Sequence, residues 1–151
     1  MAEGLGVVGT FGAVWIGLAL LVAAVRGRFG LLAAAAVAVA VADLTAWGLQ
    51  EGIARDRPPL QAPEPAALVH VPHTGSLPSG HAATSFAAAT VLALAVPRLA
   101  VPVAVLAVAI AWSRLYVGVH YPLDSVAGAV LGVVIGIAVQ RLLGRRPAAR
   151  S

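Results

Sequence analysis

Ser113, Arg114, His120 and Asp124 follow the pattern Ser-Arg-x5-His-x3-Asp, and about 30 residues before them stands the tetrapeptide Pro78-Ser79-Gly80-His81. Two histidines, arginines and a carboxylate are what a metal-free attack on phosphate needs: a nucleophile, fixed positive charge and an acid for the leaving oxygen. A neutral imidazole can attack phosphorus, which makes His120 the candidate nucleophile. Asp124 lies one helical turn further on and is expected to hold the other ring nitrogen in the productive tautomer. His81 follows Ser79-Gly80 at the expected start of a helix, where free N–H groups favour an anion, so it is the candidate acid for the departing oxygen. Arg57 and Arg114 are expected to fork onto phosphoryl oxygens.

These residues must be positioned by segments that suit lipid. The chain has 151 residues, 60% of them hydrophobic, 11% charged, with a mean hydropathy of +0.94. That composition belongs in a bilayer. Five stretches approach or exceed the ~20 apolar residues that cross a hydrocarbon core: about Leu5 to Val25, Gly30 to Ile53, His81 to Val96, Leu99 to Val117 and Leu123 to Leu143. Ser79 can cap the third, Pro102 falls in the first turn of the fourth, and Pro122 can open the fifth. The first is preceded by Glu3 rather than a basic region and is too long for a signal peptide, so it reads as a helix. The expectation is an all-α bundle of five membrane helices in one domain over residues 1–151, with a short basic tail at 144–151.

Charge then assigns sides. The net charge of +4 comes from ten arginines and no lysine, and there is no cysteine. Disulfides and thiolate chemistry are therefore excluded. The arginines are scattered between apolar runs instead of clustered on a polar face, which argues against nucleic acid as a partner. Arg26, Arg28, Arg98, Arg141, Arg145, Arg146 and Arg150 fall on one side of the expected bundle. Positive loops stay cytoplasmic, so the C-terminus is expected inside and the candidate site on the extracytoplasmic face of the cell (inner) membrane.

With these motifs in place, the chain resembles the type 2 phosphatidic acid phosphatase (PAP2) superfamily of membrane lipid phosphatases. The family's first motif, Lys-x6-Arg-Pro, aligns with Gln50 through Arg57-Pro58; its second is Pro78-Ser79-Gly80-His81; its third is Ser113-Arg114-x5-His120-x3-Asp124. The second and third match completely. The resemblance implies a phosphohistidine at His120 oriented by Asp124, with His81 as general acid that later helps water attack. It implies phosphate binding by Arg57, Arg114, Ser79 and Gly80, and it requires no metal or other cofactor. Gln50 replaces the family's lysine and can donate a hydrogen bond to phosphate without bringing charge. Five helices appear where the family usually has six, the first being missing. The substrate class implied is a lipid phosphate or diphosphate, first a polyprenyl diphosphate of undecaprenyl or decaprenyl type. Phosphatidylglycerophosphate, phosphatidate and prenyl-phosphosugars are the alternatives, and a catalytically inactive lipid- or partner-binding membrane protein is the alternative of another class. Five apolar spans argue against a soluble haloperoxidase with the same phosphate motifs.

Several residues carry plainer readings. Histidine, arginine and aspartate at membrane ends also serve as interfacial anchors, and only their combination points to catalysis. Ser113 can bond a carbonyl within its own helix as readily as touch phosphate. His70 and His73 form His-x2-His in a proline-rich loop around Glu64, with no carboxylate or cysteine nearby to complete a metal site. Asp43, Trp47 and Gln50 share one helical face, and Asp43 reads first as a packing residue. Gly128, Gly132 and Gly136 recur every four residues, a pattern that permits close helix packing within the monomer or across a homo-oligomer.

Overall fold

The structure, a computed structural model, describes residues 2–61 and 68–144, with side chains from residue 12 onward. Five long helices form a bundle: α1 (Ala2–Arg26), α2 (Phe29–Ile53), α4 (Gly80–Ala95), α5 (Ala100–Tyr116) and α6 (Pro122–Leu143). A single turn, α3 (Pro58–Gln61), and a 3-10 turn at Pro97–Leu99 lie between them. The all-α expectation is borne out, and the five helices fall within a few residues of the apolar stretches. Among the described residues, Phe29–Gln61, Pro97–Tyr116 and Pro122–Leu143 are long and apolar enough to cross a membrane, while Gly12–Arg26 and Gly80–Ala95 are apolar but shorter. The loop around Glu64 and the basic tail with Arg145, Arg146 and Arg150 lie outside the described residues.

Helix boundaries follow local chemistry. Gly27 takes a positive φ of 62°, which lets the chain turn directly from α1 into α2. Ser79 adopts an extended conformation and its hydroxyl accepts from the Ala82 N–H at 3.4 Å, capping α4 as its residue type predicts. Pro122 occupies the start of α6, where its missing N–H costs nothing. At the other end of α2, Ala54 sits in the left-handed region at φ 49°. That conformation costs an L-residue about 1 kcal/mol. It turns the chain sharply, so that Arg55 and Arg57 fold back toward α6 instead of continuing along α2.

Helix α4 is the centre of the bundle and packs against α1, α2, α5 and α6. Its buried side chains are mostly small: Ala82, Ala83, Ala87, Ala88 and Ala89. Facing them, α6 presents Gly128, Gly132 and Gly136, all buried. A β-carbon at Gly128 would collide with the Ser79 carbonyl and one at Gly132 with the Ala83 carbonyl, while one at Gly136 would come within 2.7 Å of the Ala87 carbonyl. The glycine repeat thus serves packing inside the monomer. In lipid, where apolar surface gains little from burial between helices, this close approach of backbones is the main source of helix association. Trp15 on α1 is fully buried and donates from Nε1 to the Ser85 hydroxyl at 3.0 Å, which satisfies its only polar atom inside the bundle.

Replacing Gly132 by valine is expected to destabilise the protein by about 2–3 kcal/mol, at or beyond the usual range for overpacking because backbone must move. Thermal unfolding in detergent should show a clearly lowered midpoint for Gly132→Val, and an unchanged midpoint would contradict the α4–α6 contact.

Candidate active site

The site is assembled from five pieces at one end of the bundle: the end of α2, the turn at residues 54–57, the segment 74–81, the end of α5 and the turn 117–121 leading into α6. The closeness of α4 and α6 brings two of the motifs together directly, since the Ser79 N–H donates to the Asp124 carbonyl at 2.9 Å. His120 is buried on the turn before α6. Its Nδ1 lies 2.9 Å from the Ser76 carbonyl, and its Nε2 lies 3.2 Å from Arg57 Nη1.

Those two contacts fix the tautomer. A guanidinium has only hydrogens to offer, so Nε2 must present its lone pair to Arg57, and Nδ1 must carry the proton donated to Ser76. His120 is therefore a neutral imidazole whose unprotonated nitrogen, Nε2, accepts from Arg57. Burial pushes its pKa below the ordinary value for histidine, and the Arg57 charge acts the same way, against opposing contributions from Asp124 and the Ser76 carbonyl.

Arg57 is nearly fully buried, and all five of its N–H groups meet acceptors. Nε donates to the Thr74 carbonyl at 3.0 Å, Nη2 to the Thr74 hydroxyl at 3.2 Å and the Gly75 carbonyl at 3.1 Å, and Nη1 to the Val119 carbonyl at 3.1 Å and to His120. The sequence reading gave Arg57 to phosphate. In this geometry it laces the 74–76 segment to the His120 turn.

Asp124 is fully buried at the first turn of α6. Its Oδ2 accepts from the Tyr121 N–H at 2.8 Å and lies 3.6 Å from His120 Nδ1, too long for a hydrogen bond. The expected Asp124–His120 pair is thus adjacent but not closed, because the Ser76 carbonyl is nearer to the same nitrogen. Oδ1 forms an ion pair with Arg55 Nη1 at 2.8 Å. Arg55 in turn stacks its guanidinium 4.3 Å from the centre of the Tyr121 ring, and the Tyr121 hydroxyl donates to Gln61 Oε1 at 2.8 Å.

The remaining predicted residues close the other walls. His81 sits in the first turn of α4 with Arg114, His120 and Arg57 near enough to act on its charge. Arg114 Nε donates to the Ser113 hydroxyl at 3.1 Å, and that hydroxyl donates to the Ile110 carbonyl at 2.7 Å, so Ser113 supports Arg114 from within its own helix. Gln50 is buried, with Nε2 donating to the Pro78 carbonyl at 2.7 Å. Its amide ties α2 to the Pro-Ser-Gly-His turn. A β-carbon on Gly80 would lie 3.8 Å from Gln50 Nε2 and 4.0 Å from Asp43 Oδ1, which places Asp43 beside the second motif, whereas Trp47 is exposed. His70 and His73 stack edge to face with centroids 6.0 Å apart. Among the described residues no three His, Cys, Asp or Glu side chains converge as a metal site.

Sequence reasoning missed Arg55, Thr74 and Ser76. Arg55 carried one signal, being an arginine on the side of the bundle where positive charge is disfavoured. Thr74 and Ser76 carried none, because Ser76 acts through a backbone carbonyl.

The described residues thus form a helical membrane bundle that gathers two histidines, arginines and a buried aspartate at one end. The model of the PAP2 superfamily matches residues 29–148, and the chain belongs to that family. It is 38% identical over 138 residues to the decaprenylphosphoryl-5-phosphoribose phosphatase of Mycobacterium tuberculosis, covering 90% of this chain and 75% of that one. It is 34% identical over 106 residues, 70% of its length, to an Escherichia coli protein provisionally named an undecaprenyl-diphosphatase. It spans about half, 53%, of that relative's length. The fold is shared with a PAP2-type phosphatidylglycerolphosphate phosphatase from Bacillus subtilis, with a TM-score of 0.68 at 24% identity, over 99% of this chain and 79% of that one.

Because its pKa is lowered, His120 should remain neutral down to a pH below the ordinary imidazole value of about 6.5 and gain its proton only below that. NMR titration of the imidazole in micelles, assigned by loss of the signal in His120→Gln, should show a midpoint under 6.5. A midpoint above it would contradict the buried, Arg57-facing geometry.

Proposed function

We propose that the protein is a metal-independent lipid phosphatase that removes a phosphate or diphosphate from a membrane lipid through a phosphohistidine on His120. The observation that carries this reading is the His120 tautomer: a buried neutral imidazole whose unprotonated Nε2 faces Arg57. In the first step the Nε2 lone pair forms a bond to phosphorus while the bond from phosphorus to the lipid-side oxygen breaks. Arg57 Nη1 moves its hydrogen from Nε2 to a phosphoryl oxygen, and Arg114 neutralises charge from the end of α5. The Gly80 N–H at the start of α4 adds a donor, while the Ser79 N–H is taken by the Asp124 carbonyl.

His81 gives its proton to the leaving oxygen, whether lipid alkoxide or lipid phosphate. The dianionic substrate offsets the arginines around His81 and lets it carry that proton. In the second step water attacks the phosphoryl group, His81 takes the water proton, and the P–N electrons return to Nε2 as phosphate leaves. Asp124, close to Nδ1, steadies the imidazole while it is cationic. Gln50 orients the Pro-Ser-Gly-His turn from behind and brings no charge to the phosphate.

For the substrate, a polyprenyl diphosphate or a decaprenyl-linked sugar phosphate accords with the names of the two relatives, and the amphiphile would enter sideways between helices with its headgroup at the interface. The alternative, a fold retained for lipid binding without turnover, is disfavoured by the ready nucleophile. Purified protein should release phosphate from at least one of a panel of polyprenyl diphosphates, prenyl-phosphosugars, phosphatidylglycerophosphate and phosphatidate. His120→Ala should lower that rate by more than roughly 1000-fold. Equal release by the two proteins on every lipid would overturn the enzyme reading.

The arginine bias also supports an active site on the extracytoplasmic face, with Arg26, Arg28, Arg98 and Arg141 at the cytoplasmic end. A reporter enzyme fused at the C-terminus should signal a cytoplasmic location, and an external signal would reverse the sidedness.

A further inference from the structure

We propose that Arg55 is a positioning residue for the nucleophile, holding Asp124 off His120 so that the neutral Ser76 carbonyl, and not the carboxylate, takes the Nδ1 proton. The proposal rests on the reading of His120 as nucleophile, and it concerns a residue at one of the unspecified positions of the first motif.

Arg55 reaches His120 Nδ1 by two routes. Through its side chain it pairs with Asp124 Oδ1 at 2.8 Å, while the Tyr121 N–H holds Oδ2 at 2.8 Å. With both oxygens engaged, the carboxylate stops 3.6 Å short of Nδ1. Through its backbone, the Arg55 carbonyl accepts from the Ser76 N–H at 2.8 Å and so sets the position of the Ser76 carbonyl, the acceptor that Nδ1 does use at 2.9 Å. One residue therefore restrains both competitors for the same proton.

Geometry explains how it is held there. The left-handed turn at Ala54 throws Arg55 back across α6, and its guanidinium lies against the Tyr121 ring at 4.3 Å, anchored in turn by Gln61. The Asp124 end of the ion pair is fully buried, while the Arg55 side chain is 32% exposed. A charge so paired is insulated from water on the carboxylate side, which makes the pairing consequential for the neighbouring imidazole.

The chemical effect is on the basicity of His120. An imidazole hydrogen-bonded to a free carboxylate is stabilised as imidazolium and is protonated at higher pH; one bonded to a carbonyl and facing cations stays neutral. The charged and titratable groups around it are Arg55 and Arg57 from the turn after α2, His81 from α4, Arg114 from α5, Tyr121 from its own turn and Asp124 from α6. Asp124 is the acidic group among them, and Arg55 is the cation paired with it. Asp56 is exposed, and its contact with this segment is made by its carbonyl, which accepts from the Ser76 hydroxyl at 3.3 Å.

Titration of His120 by NMR in wild type, Arg55→Gln and Arg55→Lys tests this without relying on turnover. Removing the charge should raise the His120 midpoint by about half a pH unit or more. The acid limb of kcat/KM should move upward by the same amount on the lipid phosphate wild type cleaves best. Arg55→Lys, which keeps the cation, should restore most of the shift. Tyr121→Leu, which removes the platform and leaves Arg55 in place, should shift the midpoint in the same direction by less, and it serves as the deciding variant if Arg55→Gln does not fold. An unchanged midpoint in folded Arg55→Gln, or in Tyr121→Leu where it stands in, overturns the proposal. Wild-type protein inactive on every lipid would overturn the phosphatase reading alone, because the titration of His120 still reports on Arg55.

Discussion

Everything at the site depends on how closely α6 approaches α4. Three glycines at one-turn spacing remove the side chains that would separate the two backbones, and alanines on α4 complete the fit. The contact is extended to the end of the bundle by the Ser79 N–H, which bonds the carbonyl of Asp124. A bilayer offers little hydrophobic drive between helices, so dense packing of this kind sets their register. That register in turn determines that the start of α4, which carries His81, and the start of α6, which follows His120, lie together at one end of the bundle.

At that end lie buried charges that would be costly singly. Arg57 is enclosed but makes five hydrogen bonds, and Asp124 is enclosed but receives Arg55 and a backbone N–H. Satisfied in this way, they form a rigid polar network in an apolar bundle. The consequence for His120 is preorganisation: its ring is held at both nitrogens before any substrate arrives, with the proton on Nδ1. In the proposed reaction such an imidazole would need neither rotation nor deprotonation to attack, which would remove part of the barrier in advance.

The spans, the caps at Ser79 and Pro122, the glycine packing and the gathering of His81, Arg114, His120 and Asp124 were legible because each is written in local period or in contiguous motifs. What was not legible arises from long-range geometry. Asp124 stands four residues after His120, and that spacing alone suggests a hydrogen bond. Yet Asp124 also caps the Tyr121 N–H and faces an arginine 69 residues earlier, while the Ser76 carbonyl arrives from 44 residues away to take the imidazole proton. No residue type signals a backbone carbonyl, and the first motif spans Arg55 without specifying it. Arg57 is similar: its identity suggested phosphate, whereas its position shows that building the loop uses nearly all of its donors.

The replacement of a lysine by Gln50 follows the same logic of local charge. Gln50 is buried at the end of α2 with its amide on the Pro78 carbonyl, and Asp43 lies about two turns deeper, both within 4 Å of where a β-carbon on Gly80 would stand. An ammonium there could pair with Asp43 or with phosphate. A neutral amide leaves that wall without positive charge, so in the proposed reaction the cations left to meet a phosphate would be Arg57 and Arg114, on the side of His120 and His81. The electrostatic attraction is thereby concentrated where the reacting atoms must meet. What Gln50 gives up in pull on the anion it returns as support for the turn that presents His81, a role that a hydrogen bond can fill without the cost of desolvating a charge.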